Sequence, residues 1–297
     1  MSVKVKSVVY KHLVSVLNAE IQRYGDKEVI RILDVGCGDG YLVSCLTENL
    51  AVARNQRIEV YGLDVNDHGV QQAGFIARTI DVLSACCPSV AWQERIASVS
   101  VHDPWPYDEG SFDIIVSNQV LEHVGDLDRF FSEVSRTLEK GGFSVHLFPL
   151  SCCFMESHLN LPLAHRIVNH TLLAWYIRVL SRLGLGKFKT HGGRLDSYAD
   201  MHADYMLNYT NYFSYRSLLD VVKKHGLRAS LKHTPMLYLN KIRSLFRLKH
   251  RTSYCALDSV LNELVSKMLL SRISIVTLFL ENKNCYRIHE STVSDKI

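Results

Sequence analysis

The run Ile30-Arg31-Ile32-Leu33-Asp34-Val35-Gly36-Cys37-Gly38-Asp39-Gly40-Tyr41 constrains the fold more than any other stretch of this chain. It reads as a β-branched strand ending in an acid, then three glycines at alternate positions, then a helix from Tyr41 to Leu50. Residues without Cβ allow a tight bend and let a ligand press against the main chain. In open α/β sheets such corners hold ligands outside the carboxyl ends of the strands. A dinucleotide fingerprint wants glycine at the sixth place of the loop, but that place is Tyr41 and glycine stands at the fifth. Asp34 and Asp39 would repel a diphosphate and favour a cation.

Two further pieces follow in order. Ile58-Glu59-Val60-Tyr61-Gly62-Leu63-Asp64 is a second strand-like run ending in an acid, one helix after the glycines. A carboxylate at that tip can accept both hydroxyls of a ribose; a helix cap for the segment from Asn66 is the alternative. Phe112-Asp113-Ile114-Ile115-Val116-Ser117-Asn118-Gln119-Val120-Leu121-Glu122-His123-Val124 reads as a buried strand that opens through a loop, after the polar turn Asp103 to Ser111. A helix over Asp126 to Lys140 and a strand from Gly141 to Leu147 come next.

These pieces, in this order over residues 29 to 150, resemble the class I methyltransferases that use S-adenosylmethionine, and the third resembles the type 11 family. The resemblance implies a Rossmann-like, doubly wound α/β fold: a seven-stranded sheet, last strand antiparallel, with a helical insertion after the fifth strand. It also implies a donor site. Asp34, Gly36, Cys37, Gly38 and Gly40 would surround the methionine part, Asp64 and Val65 the ribose, Asp103 the adenine amino group, and Asn118 with Gln119 the sulfonium. The expected organisation is one domain over 1–297, with a donor-binding core at 29–150, an inserted acceptor lobe at 151–212, completion of the sheet at 213–283 and a loose tail at 284–297.

His123 lies at the rim where the reactive methyl should point, so it is a candidate general base, with a loop-bracing role as the alternative. Some ubiquinone-pathway relatives carry Glu-x-x-Glu-His here and bind a divalent ion. Gln119 replaces the first of those acids, and a neutral amide weakens a hard-cation site, so no metal is expected. His158 and His165, in Met155-Glu156-Ser157-His158 and Leu161-Pro162-Leu163-Ala164-His165, are the other candidate bases. These two segments resemble an insertion in methyltransferases of bacterial surface-polysaccharide clusters. A helical run from Ile167 to Leu183, a Gly-rich joint and five tyrosines (Tyr198, Tyr205, Tyr209, Tyr212, Tyr215) complete the lobe. Rings with hydroxyl tips suit a polar ring-shaped acceptor, though each ring can equally serve packing.

Composition limits the partners. The 34 basic and 30 acidic residues give +4, too weak a charge to imply nucleic acid. Eight cysteines without a Cys-x-x-Cys point to a reduced, cytoplasmic protein, and the Cys86-Cys87 and Cys152-Cys153 pairs read as small buried hydrophobes. The N-terminus lacks a signal-peptide pattern and no run is long enough to span a membrane. Val9 to Arg23 is an amphipathic helix ended by Gly25-Asp26, and Asn66 to Cys87 is a long helix closed by Pro88. Ile96 to Val101 is a third strand, Ser214 to His225 a helix stopped by Gly226, Leu227 to Leu239 a strand, and Ile273 to Glu281 the antiparallel last strand. The basic, apolar-striped stretch 241–251 offers peripheral contact with an anionic membrane or a phosphate-bearing acceptor; a solvated helix face is the plain alternative.

The function so implied is methyl transfer from S-adenosylmethionine to a hydroxyl of a small polar acceptor, a sugar or glycan. A lipid-like or aromatic small molecule, a protein side chain, and a non-catalytic scaffold of the same fold are the alternatives. A nicotinamide oxidoreductase shares the sheet but not Tyr41 in the glycine's place. Oligomeric state does not follow from the sequence.

Overall fold

The computed structural model describes residues 7–25, 27–51, 55–66, 74–191, 193–251 and 259–282. Asp26 and the expected tail 284–297 lie outside the described residues. Seven strands form one sheet: β1 (Val29–Val35), β2 (Arg57–Val65), β3 (Ile96–Val99), β4 (Phe112–Asn118), β5 (Leu138–Pro149), then β8 (Leu227–Ser230) and β9 (Ile275–Asn282). A separate two-stranded ribbon pairs β6 (Met155–Glu156) with β7 (Leu161–Pro162). The sheet order is β3-β2-β1-β4-β5-β9-β8, the first five strands parallel and β9 antiparallel between β5 and β8. The expected doubly wound sheet, with its last strand reversed, is therefore the architecture.

Alternation along the strands divides the core in two. Ile30, Ile32, Ile114, Val116, Val145 and Phe279 face helices α1 (Val8–Glu20), α2 (Tyr41–Asn49) and α3 (Phe75–Cys86). Leu33, Val35, Ile115, Val276, Leu278 and Leu280 face α4 (Leu127–Thr137) and α8 (Tyr215–Lys224) on the other side. Covered on both faces, β4 is buried over six successive residues, which explains its unbroken apolar run. His146 is also buried there; Ser117 (2.8 Å) and Ser144 (3.0 Å) satisfy its two ring nitrogens, and burial pulls its pKa down to about 3.

The insertion after β5 carries the ribbon, α5 (His170–Arg182), the short α6 (Phe188–His191) and α7 (Leu195–Asn208). Leu159, Leu161, Leu173, Ile177, Ala199 and Met206 form a third apolar cluster of its own. The last helices are α9 (Thr234–Leu245) and α10 (Ser259–Met268). Among the described residues no helix is long and apolar enough to cross a membrane.

Several expected boundaries move. The strand expected over Leu227 to Leu239 ends at Ser230, and Pro235 opens α9, where a missing N–H costs nothing. Lys232 (2.8 Å) and His233 (2.9 Å) pair with Glu20 at the end of α1 and fix that turn. Of the helix expected over Asn66 to Cys87, α3 covers the part from Phe75, with Gly74 before it in a left-handed conformation (φ +72°); residues 67–73 lie outside the described set. The helix expected to reach Lys140 stops at Thr137, and β5 begins at once. Only one cysteine of each adjacent pair is buried: Cys87 and Cys153 are, while Cys86 is exposed and Cys152 half-buried.

Truncating Leu278, wholly buried under α4 and α8, tests the shared core. Leu278→Ala should lower stability by about 2–5 kcal/mol, read as a drop in the urea midpoint at unchanged slope.

Candidate active site

β1 stands between β2 and β4, so the order of the strands reverses there and a crevice opens at their carboxyl ends. The glycine bend fills one side of it. Gly36, Gly38 and Gly40 have φ of +73°, +51° and +75°, a region closed to most side chains. A Cβ on Gly36 would lie 2.3 Å from Val120 Cγ2, so this glycine lets the loops after β1 and β4 touch. A Cβ on Gly38 would meet nothing within 4 Å, which leaves that turn open for a ligand against the backbone.

Three carboxylates surround the bend. Asp64 accepts the Gly38 N–H at Oδ2 and the Val65 N–H at Oδ1, each at 2.7 Å, tying the tip of β2 to the bend. Asp34 is 1% exposed and neither of its oxygens has a hydrogen-bond partner in the protein. Burial, then the charges of Asp64 and Asp39, push its pKa well above the ordinary carboxylate range. An orphaned carboxyl in a negative surround is the donor set that a cationic ligand completes. S-adenosylmethionine, with an ammonium and a sulfonium, fits it: Asp34 and the bend can hold the methionine part and Asp64 the ribose. Cys37 is buried beside the bend, and Asp103 sits on the exposed turn beyond β3, its N–H bonded to the Ser100 carbonyl (3.0 Å).

The leading helix covers this end. Tyr10 packs on Tyr41 with the rings tilted by 58° and their centroids 5.1 Å apart, and burial, with Asp34 and Asp39 nearby, pushes its hydroxyl up to about 12. The sequence marks α1 as amphipathic and gives no sign that Tyr10 belongs to the site.

On the other side of the crevice, Asn118 ends β4 and Gln119 takes φ 57°, a left-handed conformation held by its N–H bond to the Leu147 carbonyl (2.7 Å). Asn118 Oδ1 and Gln119 Nε2 are buried without partners. Strain and unmet polar groups of this kind concentrate where a ligand supplies the missing partner. A cavity of about 250 Å³ opens from these two residues toward Tyr10, Ser157, Asn160 and Lys241. A larger groove, about 490 Å³, lies at the opposite end of the strands beside Gly110 and Glu139, remote from the bend.

One turn beyond Gln119 the loop meets the insertion. The Glu122 carbonyl accepts the Asn211 N–H at 2.5 Å, and His123 Nδ1 donates to the Tyr209 carbonyl at 2.6 Å. That bond leaves His123 Nε2 as acceptor, 3.3 Å from the Tyr205 hydroxyl. His158 Nδ1 donates to Glu156 Oε1 at 2.7 Å, which turns its Nε2 toward Glu122, 4.0 Å away. Glu156 is fixed by the N–H groups of His158 (2.7 Å) and Leu159 (2.6 Å) and by the Tyr212 hydroxyl (2.8 Å). Burial alone would raise its pKa, but these bonds and the His158 ring hold it below the ordinary value. Glu122 has no such help: wholly buried, with both oxygens unpartnered, it is pushed up to about 8.

The structure thus joins His123 and His158, their rings 5.2 Å apart, and leaves His165 outside. His165 donates to the Ser151 carbonyl at 3.1 Å and packs its ring on Tyr212 at 4.7 Å. One ligand-type atom from each of Glu122, His123 and His158 lies within 4.8 Å of the others, a grouping able to hold a divalent cation. The five tyrosines divide: Tyr205 and Tyr212 border this cluster, Tyr209 offers a carbonyl, Tyr198 packs within the insertion, and Tyr215 donates to Glu263. Glu156 stands two residues before His158 in the sequence, but its role as the anchor of that ring needed the fold.

Comparison with known proteins gives the same direction. A family model described as "Methyltransferase domain" matches residues 10–230. A ubiquinone biosynthesis O-methyltransferase of Pelagibacter ubique is 29% identical over 122 residues, 40% of this chain and 43% of that protein. Ajmaline N-methyltransferase of Rauvolfia serpentina is 26% identical over 164 residues, 53% of this chain and 50% of that protein. The chain thus spans half or less of the length of these curated relatives. A solved S-adenosylmethionine-dependent methyltransferase from Mesorhizobium loti overlaps 88% of this chain and 96% of its own, at 17% identity and a TM-score of 0.45.

The state of Asp34 is testable through protons. Burial, then the charges of Asp64 and Asp39, raise its pKa well above the ordinary carboxylate range, and a cation binds the ionised form, so binding of S-adenosylmethionine should release a proton and strengthen as pH rises through that raised range. Calorimetric titrations in two buffers of different ionisation enthalpy measure that proton; Asp34→Asn should abolish its release and weaken binding at least tenfold.

Proposed function

The chain belongs to the methyltransferase-domain family of class I S-adenosylmethionine-dependent methyltransferases, and from that premise we propose that it methylates a hydroxyl of a small polar acceptor, sugar or glycan-like, held between the bend and the inserted lobe. The observation that carries this reading is the convergence of two imidazole acceptor nitrogens, His123 Nε2 and His158 Nε2, just beyond Gln119. A hydroxyl acceptor needs a proton taken from it, and neutral imidazoles with their other nitrogen anchored are suited to that task. The free cysteines among the described residues support a reducing compartment, the cytoplasm.

When bound, S-adenosylmethionine supplies a methyl group already activated on a cationic sulfur, so no protein nucleophile is needed. The protein's part is to align the acceptor, exclude water and receive a proton. Asp34, the glycine bend and Asp64 fix the donor end, and α1 closes over it through Tyr10. The acceptor oxygen would bond the methyl carbon as the carbon–sulfur bond of the donor breaks and its electron pair leaves on a neutral thioether, while His158 Nε2 takes the hydroxyl proton. Glu156 stabilises the imidazolium so formed through the Nδ1 bond. Tyr205 and Tyr212 border the acceptor's side and hold His123 and Glu156 in place.

With isotopically labelled donor and cell extract, mass spectrometry should find a species gaining one methyl mass. His158→Gln should reduce that labelling by about 10²–10⁴-fold with donor affinity unchanged. Glu156→Gln should cost less, since the ring keeps Nε2 but loses the carboxylate that stabilises the imidazolium. Equal labelling by wild type and His158→Gln at every pH would remove His158 from the mechanism.

A second reading, methyl transfer assisted by a divalent cation, has one specific observation in its favour: Glu122, unpaired among histidines whose far nitrogens are anchored to Glu156 and the Tyr209 carbonyl. Stability against pH separates the two. Without a cation the folded chain holds the Glu122 proton up to about pH 8, whereas the unfolded chain releases it near 4.5. Stability should then fall as pH rises between those values, by up to ~1.4 kcal/mol per unit, and level off above 8. Urea unfolding in EDTA at pH 5.5 and 8 should show this fall, and Glu122→Gln should lose it. A bound cation keeps Glu122 ionised, so the fall vanishing on addition of Mg²⁺ or Zn²⁺ selects the metal reading.

A further inference from the structure

The end of α9 and the segment after it carry five cations, Lys241, Arg243, Arg247, Lys249 and Arg251, and no acid from Leu239 to Arg251. Among the described residues none of the five makes an ion pair. Apolar side chains share the surface with them. Leu239, Ile242 and Phe246, spaced three and four residues apart, form a stripe in which Phe246 is 73% exposed, and Leu245 beside it is 81% exposed. The neighbouring α10 does the same with Val260, Leu264 and Met268, 72%, 52% and 62% exposed.

The surface is built rather than left over. Arg243 Nε donates to the Lys249 carbonyl at 2.8 Å, and Asn240 exchanges two bonds with the Arg251 backbone, at 2.8 and 3.0 Å. These bonds fold the basic segment back along α9 and hold Leu245 and Phe246 at its outer end. Lys241, one helical turn before Leu245, lines the cavity shared by Asn118 and Gln119. The cationic, apolar surface therefore adjoins the mouth of the active site.

We propose that α9, the turn after it and α10 dock on an anionic bilayer, with Leu245 and Phe246 entering the headgroup boundary and the active-site cavity opening beside it. Exposed apolar residues interleaved with unpaired cations match a surface that is negative at the headgroups and apolar beneath, and among the described residues no helix is long and apolar enough to span it. A soluble protein partner of the same charge would cover the apolar residues without needing five cations and no acid. The docking stands on this surface alone; its consequence, that the hydroxyl acceptor reaches the cavity from the bilayer on an amphiphilic carrier, rests on the proposed function.

The test uses the full chain and needs neither donor nor turnover. In flotation with vesicles of phosphatidylcholine containing one third phosphatidylglycerol, the protein should float, and it should remain unbound with phosphatidylcholine alone. Raising salt from 0.05 to 0.5 M should release it. The double variant Arg247→Glu, Lys249→Glu should bind at least twentyfold less, at roughly fivefold per charge. Leu245→Ser with Phe246→Ser should also bind less, while donor binding by calorimetry stays as in wild type, which shows that both variants fold. Equal partition onto neutral vesicles, no flotation at all, or unchanged binding by both variants overturns the proposal. So does a dimer in light scattering that Leu245→Ser with Phe246→Ser dissolves, since the surface would then be a contact between copies of this chain. Release by 10 mM inorganic phosphate at constant ionic strength would instead assign the cations to a soluble phosphate-bearing acceptor. Loss of methyl transfer with flotation intact would count against the proposed function only.

Discussion

The site depends on one buried carboxyl to which the protein gives no partner. Asp34 stands next to last in β1, beneath a bend of glycines, and neither of its oxygens finds a donor. Leaving such a group unmatched costs free energy, and the rest of the donor end is arranged so that only a cation removes the cost. Asp64 and Asp39 add charge of the same sign, Tyr10 closes the site with a ring, and among the described residues no lysine or arginine pairs with Asp34. A local arrangement of this kind selects against diphosphates more firmly than the missing sixth glycine does.

The acceptor end works by the opposite rule around its two imidazoles, where the polar groups are held and Glu122 is not. Glu156 accepts four hydrogen bonds, and both imidazoles are anchored at Nδ1, so their tautomers are set before any ligand arrives. Glu122 is the exception, and its position explains why: its backbone is fixed by Asn211 while its side chain points into the space between the two rings. The insertion after β5 is thus more than a cover, since it brings His158, Glu156, Tyr205 and Tyr212 against a loop that the sheet alone would leave with Glu122 and His123.

The parts of this arrangement that were legible in the sequence are those specified locally. Alternate glycines after a β-branched run, an acid at the next strand tip and an unbroken apolar strand each carry their reason within ten residues, and each is where it was expected. Leu227 to Leu239 misled because its alternating apolar residues suit a strand, whereas contact with Glu20, over two hundred residues away, and Pro235 at a first helical turn make it a short strand and a helix. His158 was singled out with His165, and nothing local separates them; only the position of Tyr212, with Glu156 on one side and the His165 ring on the other, decides which imidazole faces Glu122.

Charge is sorted across the molecule in a way that the near-zero net value conceals. Acids gather at the glycine bend, histidines and one uncharged carboxyl at the centre, and unpaired cations along the end of α9. Lys241 is where the last two regions meet, with its ammonium over the Tyr238 ring at 5.0 Å and facing the cavity. A cationic donor is thus drawn to one end and an anionic surface to the other. The acceptor hydroxyl then needs to reach only the space between them.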